Sequence, residues 1–368
     1  MINLLQVVEG AGWGGTKEQT YLISRELSRR GVQVHMAFSL GYELMVEKLK
    51  DYPVKVHFFE RLGSFPRLNP MNYYRLAKLI RQEDFQILVA TSPHALDFLV
   101  GALALVGKRA KVVAYKRTGR SSGFFSKLFK YSLADRIVVV DRLTFERLKK
   151  EGFFPDRLRH IPSGIDLTRF KPMGEERALL KRKELRIDPH KKVFINVANW
   201  NPKHKGQPLL VEAFAKLRCD QCLLVLVGIG TDREVPKYAR RLGLEGRLLG
   251  LGFREDVPEL LNMADYFVFS SYFEGIAGAV LQAMACGKVV VSTLAGGIGE
   301  YLRDGENGFG VPVGDLKSLT EKLRLVLELP EERQKLIASR AIQTAQEYSI
   351  ERTADLYVEL FKELVGTG

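Results

Sequence analysis

Glu274 and Gln282 lie on either side of a run of small residues, within Ser-Ser-Tyr-Phe-Glu-Gly-Ile-Ala-Gly-Ala-Val-Leu-Gln-Ala-Met-Ala-Cys-Gly (Ser270 to Gly287). The run follows an apolar stretch, Tyr266 to Phe269, that reads as a strand. It turns at Glu274-Gly275 and opens a helix whose backbone is bare at Ala277, Gly278 and Ala279. The first N–H groups of a helix lack intrahelical acceptors, and the helix dipole is positive there. Strand, tight turn and helix start therefore make an anion site, and a phosphate-bearing ligand is its natural occupant. Gly275, Ile276, Ala277, Gly278 and Ala279 would meet that ligand, Val280, Leu281 and Met284 point inward, and Gly287 suits the left-handed position that ends a helix.

The elements that must hold this stretch read as two parallel sheets. Apolar runs at 2–8, 32–38, 54–59, 87–90, 112–115 and 137–140 alternate with helical stretches such as 16–30, 71–81 and 143–151, and the strand periodicity restarts at 193–198. Alternation of this kind argues parallel strands covered on both faces, with ligands beyond the strand C-termini. Several candidate groups stand at such ends in the first half. They are the glycine loop with Gly14, Gly15 and Thr16, the Thr91-Ser92-Pro93-His94 loop, and the basic loop that holds Lys116, Arg117 and Arg120. The glycine spacing is not Gly-x-Gly-x-x-Gly opening into a helix, and no acidic residue closes the next strand, which counts against a dinucleotide site. The basic loop suits an anionic acceptor or a membrane phosphate.

Taken together these motifs resemble the retaining family-4 glycosyltransferases, whose signature is two Glu residues inside a pattern like Glu-Gly-Phe-Gly…Glu-Ala-Met-Ala. Glu274 matches the first of that pair, and Gln282 stands where the family has the second. The resemblance implies that Glu274 meets the donor sugar and that Gln282 holds the ribose, with a weaker grip than a carboxylate. It implies that Lys205, in Lys205-Gly206, clasps the donor diphosphate. The family's accompanying Arg is replaced by Asn199 in a loop one residue longer, so either Lys203 supplies a second charge or one cation suffices. Gly228 and Gly230 match the nucleotide-facing turn, and the backbone at Phe253 and Arg254 the base-reading segment. Gly14 and Gly15 correspond to the glycine pair beside the diphosphate and acceptor. Thr91 takes the place of a donor-touching His, with His94 three residues later. Thr16, Thr91, Lys116, Arg117 and Arg120 are the expected acceptor-side residues.

The resemblance covers nearly the whole chain and implies a GT-B architecture, α/β, with two Rossmann-like doubly wound domains facing a cleft. The expected division is an acceptor domain over 1–165, a hinge over 166–188, a nucleotide-sugar domain over 189–345, and a final helix over 346–368 that returns to the first domain. The implied reaction is transfer from a nucleotide-diphosphate sugar to a glycan or glycolipid acceptor with retention, in cell-envelope or lipopolysaccharide-type synthesis. The family uses no metal or other cofactor. The donor phosphate helps to take the acceptor proton, so no separate base is expected.

The bulk numbers narrow the alternatives. At 368 residues with 46% hydrophobic and 27% charged residues, the chain is globular and long enough for two cores. No apolar run reaches a membrane-spanning length and the start lacks a signal-peptide pattern. Three cysteines make no disulfide framework, and Cys219-x-x-Cys222 has no second pair to complete a zinc site. These features fit a cytoplasmic protein. Residues 1–165 hold 27 Lys and Arg against 15 Asp and Glu, a net of +12, out of +13 for the chain. That field suits peripheral docking on an anionic membrane. A sugar-nucleotide epimerase would share the architecture but place a carboxylate and a His for elimination chemistry. A nucleic-acid-binding protein would use the positive field directly, yet no recognised motif or aromatic-interleaved basic face is present, so no nucleic acid partner is expected.

Overall fold

The computed structural model describes residues 1–10, 12–63, 65–116 and 130–366. The chain divides into two compact units, one of Met1–Gly164 with Ile350–Gly368 and one of Ile165–Ser349.

The first unit is built on seven parallel strands: β1 (Asn3–Val7), β2 (Gln33–Ser39), β3 (Val54–Glu60), β4 (Ile87–Ala90), β5 (Lys111–Lys116), β6 (Arg136–Val139) and β7 (Leu158–His160). Their order is β3-β2-β1-β4-β5-β6-β7. Leu4 stands level with Val34 on one side and Ile87 on the other. Leu5 and Val7 bury against Leu76, Leu96 and Leu99 of the Pro70–Gln82 and Pro93–Val106 helices. Leu4 and Val8 bury on the opposite face with Leu22 and Leu27 of the Gly15–Arg29 helix. Strands covered on both faces read as continuous apolar runs, as the fully buried Ile-Leu-Val-Ala of β4 does.

The last helix, Ile350–Val365, completes that second face with Ile350, Tyr357, Leu360 and Phe361. Thr353 donates to the Pro162 carbonyl at 3.0 Å, and Arg30 pairs with Asp355 at 2.6 Å.

The second unit repeats the plan with β8 (Lys192–Val197), β9 (Cys222–Val227), β10 (Leu248–Gly250), β11 (Tyr266–Phe269), β12 (Val289–Thr293) and β13 (Phe309–Val311). Their order is β10-β9-β8-β11-β12-β13, again parallel throughout its described pairs. In each sheet the order reverses beside the first strand, between β1 and β4 and between β8 and β11. Such switch points open a crevice at the strand C-termini.

The stretch 166–188, expected as a hinge, folds with the second unit. Arg182 of the Glu175–Glu184 helix is buried, donates to the Met263 carbonyl at 2.8 Å and pairs with Asp265 at 2.9 Å. Cys219 and Cys222, expected to form neither a disulfide framework nor a zinc site, are joined by a disulfide at the turn into β9, while Cys286 is a buried free thiol. Among the described residues no helix is long and apolar enough to cross a membrane.

Candidate active site

At the crevice of the second sheet, the segment after β11 and the short helix after β8 are fastened together. Ser270 donates to the carbonyls of Lys205 and Gly206, both at 3.0 Å. The Ser271 hydroxyl lies 2.9 Å from the His204 carbonyl, which the Tyr272 amide also reaches at 2.9 Å. Gly206 has φ 63°, and a Cβ there would collide with the Ser270 carbonyl oxygen. Only glycine allows this approach. The result is a Lys205 Nζ 2.5 Å from Glu274 Oε1, with the Ser271 hydroxyl 2.5 Å from the same oxygen. The Glu274 side chain is one-tenth exposed and the Lys205 side chain one-quarter.

Beyond Glu274, the chain turns through Gly275, Ile276 and Ala277 into the Gly278–Ala285 helix. Ala277 adopts φ 52°, a left-handed conformation uncommon for a residue with a Cβ. Among the described residues, no protein acceptor meets the amides of Ile276, Ala277, Gly278 or Ala279. Lys205 thus lies next to a cluster of bare N–H donors at a helix start, an arrangement that binds phosphate. Gln282 is half-buried one turn into this helix, and Gly287 ends it at φ 69°.

A second segment braces the turn from behind. Gly296, at φ 57°, packs so closely that a Cβ would collide with the Glu274 carbonyl oxygen. The Gly297 amide donates to the Gly275 carbonyl at 2.8 Å, and the Tyr301 hydroxyl donates to the Ile276 carbonyl at 2.7 Å. Burial drives the Tyr301 phenol well above its ordinary pKa, so it is a fixed donor.

The remaining expected donor-side residues line the same edge. The Asn199 side chain accepts from the Ile229 amide at 2.9 Å, which ties it to the Gly228–Gly230 turn, while Gln207 donates to the Asn199 carbonyl at 2.9 Å. The Gly228 amide donates to the Gly252 carbonyl at 2.8 Å, beside a half-exposed Phe253. The Arg254 guanidinium is 2.6 Å from Asp256 and holds that carboxyl down to about 2, so the Arg254 side chain serves the fold. Lys203 is exposed in the turn before Lys205.

In the first unit the candidates gather at the C-terminal edge of β1, β4 and β5. Gly14 is the extended residue before the Gly15–Arg29 helix, and Thr16 is exposed in its first turn. Thr91 is buried and its hydroxyl donates to the Val7 carbonyl at 2.9 Å. His94 is at the start of the Pro93–Val106 helix with Nδ1 2.8 Å from Arg67 and 3.5 Å from Asp97. Lys116 is buried, its Nζ 5.9 Å from the Tyr131 ring centre and 5.8 Å from that of Phe153. Arg117 and Arg120 lie outside the described residues. Sequence reasoning missed Glu9, which accepts from Ser92 at 3.0 Å, and buried Glu60, which accepts from the Gly10 amide at 2.6 Å.

The profile described as Glycosyltransferase Family 4 matches residues 13–169, and the one described as Glycosyl transferases group 1 matches 179–341. The chain belongs to the family-4 glycosyltransferases. This glycosyltransferase is 29% identical to the N,N'-diacetylbacillosaminyl-diphospho-undecaprenol alpha-1,3-N-acetylgalactosaminyltransferase of Campylobacter jejuni, over 87% of this chain and 88% of the relative. It is 24% identical to the N-acetyl-alpha-D-glucosaminyl L-malate synthase of Bacillus anthracis, over 97% and 95%. Its fold matches the crystal structure of Anabaena Alr3699/HepE in complex with UDP-glucose at a TM-score of 0.85, with 22% identity over 99% and 100% of the two chains. The glycosyltransferase is thus a GT-B protein, and its two doubly wound sheets agree with that fold.

Proposed function

We propose that this glycosyltransferase moves a sugar, with retention, from a nucleoside-diphosphate sugar to a hydroxyl of a lipid-linked glycan at the cytoplasmic face of a membrane, without a bound metal. The observation that carries the reading is Lys205 Nζ at 2.5 Å from Glu274 Oε1, beside the open amides of Ile276 to Ala279.

The donor diphosphate is held by those amides and by Lys205, which turns from the carboxylate toward phosphate. Glu274 then accepts from the sugar hydroxyls and stabilises positive charge on the ring. The bond from the anomeric carbon to the diphosphate breaks, its electron pair leaving on the phosphate oxygen. The acceptor hydroxyl bonds to that carbon on the same face, and its proton passes to the departing phosphate. Fixed positive donors at the point where negative charge grows are worth several kcal/mol of barrier, roughly 3 for one donor. Gln282 meets the ribose, and the main chain at Gly228, Gly230, Phe253 and Arg254 faces the base side. Within the first unit, Gly14, Gly15, Thr16 and His94 stand at the C-terminal edge of the strands and are the residues the resemblance assigns to donor and acceptor contacts.

The Campylobacter relative is named for a diphospho-undecaprenol acceptor, and the basic first half suits an anionic surface. The Bacillus relative is named for L-malate, so the acceptor class is what an experiment must decide. A thermal-shift panel of UDP-, GDP- and ADP-sugars identifies the donor, since a ligand of the folded state raises Tm. Transfer is then measured to polyprenyl-diphosphate sugars and to malate, with the product anomer read by NMR. Transfer to malate alone would refute the lipid acceptor, and an isomerised donor without any acceptor would assign an epimerase.

A further inference from the structure

We infer that the described residues between β3 and β4, 61–63 and 65–82, form a membrane-docking platform that rests on a leaflet of anionic lipid. The inference deepens the lipid-linked acceptor proposed above and rests on it.

The segment presents apolar side chains to solvent from a fixed backbone. Phe65 is 73% exposed, Leu68 78%, Tyr74 57% and Met71 47%. Their backbone is pinned from beneath by Asn72, which is fully buried. Its side chain accepts from the Arg61 amide at 2.9 Å and donates to the Pro66 carbonyl at 3.0 Å. Asn69 caps the Pro70–Gln82 helix through the Met71 amide at 3.0 Å, and the Tyr73 hydroxyl donates to the Arg67 carbonyl at 2.7 Å. The apolar surface is therefore built into the fold. The helix itself is two-faced, with Leu76 and Ala77 in the core and Met71, Tyr74, Lys78 and Arg81 exposed at spacings of three and four. An aromatic, apolar and cationic face of this kind is the pattern of helices that lie in a lipid interface.

Charge chooses the occupant. Between Glu60 and Glu83 the chain has Arg61, Arg67, Arg75, Lys78 and Arg81 and no Asp or Glu. Arg67 is engaged with His94 and Asp97, whereas among the described residues Arg61, Arg75, Lys78 and Arg81 have no carboxylate within ion-pair distance. Cations flanking exposed apolar groups match anionic headgroups above acyl chains, a surface that also presents a lipid-linked acceptor.

The test is sedimentation of the full chain with phosphatidylcholine vesicles and with mixed phosphatidylglycerol–phosphatidylcholine vesicles. The wild type should favour the anionic vesicles, and high salt should weaken but not abolish binding. Phe65→Ser with Leu68→Ser should lower the partition coefficient by about ten-fold or more on either vesicle, as loss of buried apolar surface requires. Lys78→Glu with Arg81→Glu should lower it about ten-fold on the anionic vesicles alone. Each variant's Tm, with and without the sugar-nucleotide panel, reports folding and donor binding separately. Equal binding by wild type and both variants would overturn the platform while donor binding stands. So would absence of vesicle binding, or a dimer in light scattering that Phe65→Ser abolishes. Loss of the donor shift in the wild type would instead strike the proposed function.

Discussion

The Tyr301 hydroxyl donates to the Ile276 carbonyl across 25 residues of sequence, from a fully buried phenol to the turn that bares the amides of Ile276 to Ala279. With the Gly297 amide on Gly275 and the close approach of Gly296 to Glu274, it sets the direction of those amides. Tyr301→Phe leaves a buried carbonyl without its donor at a cost of about 1–3 kcal/mol. The donor KM is expected to rise about three- to ten-fold as the amides lose their aim. A lowered Tm with an unchanged KM would reduce Tyr301 to a packing residue.

Lys205 and Glu274 depend on each other as well as on the donor. Glu274→Ala and Lys205→Ala are each expected to lower kcat by about 100-fold or more, the range for a group that meets charge in the transition state. Steady-state kinetics with the identified donor checks this, and near-normal turnover of Glu274→Ala would remove its role. Each single change strands a partner in a site with little solvent. The double variant should therefore be more stable than the sum of the singles, by about 0.5–3 kcal/mol in a double-mutant cycle. Turnover should persist after exhaustive dialysis against EDTA; restoration by added metal would refute metal independence.

Ala277 holds a left-handed conformation at the helix start where the family pattern has glycine. The backbone strain of an L-residue there is roughly 1–2 kcal/mol, and the extra freedom of an unfolded glycine offsets roughly half of it. Ala277→Gly is expected to raise Tm by about 1–3 °C with donor binding kept, which differential scanning calorimetry would register.

His35 and His57 stack with Nδ1 of the first 3.0 Å from Nε2 of the second, and the Phe85 ring stands edge-on against His35. Burial, then the neighbouring His57, pushes His35 down to about 4. A histidine whose pKa falls on folding is held neutral by the fold, so its contribution is complete above the ordinary value near 6.5. It is lost as pH falls from there to about 4, because the unfolded chain takes the proton first. The ceiling of that loss is about 3 kcal/mol. Thermal melts across this window should show a declining Tm, and His35→Phe should flatten the slope. A wild-type Tm constant from pH 7 to about 4 would contradict the buried neutral pair.

Much of this was legible in the residues. Recurrent apolar runs separated by helical stretches mark the parallel strands, and Gly287 sits at the left-handed helix end that its position implies. Lys205-Gly206 and Glu274-Gly275 stand out as a charged residue followed by glycine, and Gly206 permits a close approach. Their meeting was not legible, since it depends on Ser270 and Ser271 reaching across 64 to 67 residues, and hydroxyl clamps leave no period. Thr91 illustrates the same limit, because a threonine at a strand end reads as a ligand contact until its hydroxyl is seen to donate to Val7. The Pro93–Val106 helix escaped notice for a different reason. It is apolar on nearly every side, so it shows no stripe for the 3.6-residue period to detect.

The first unit takes its last core residues from beyond the second, in Tyr357, Leu360 and Phe361. On the ribosome, the strands of the first 164 residues emerge early but keep one apolar face uncovered while the whole of Ile165–Ser349 is synthesised and free to fold. Nascent chains stalled before residue 350 should therefore engage chaperones through the earlier half, and a stop codon there would expose the sheet to aggregation and leave a sound second unit attached to an unfinished first.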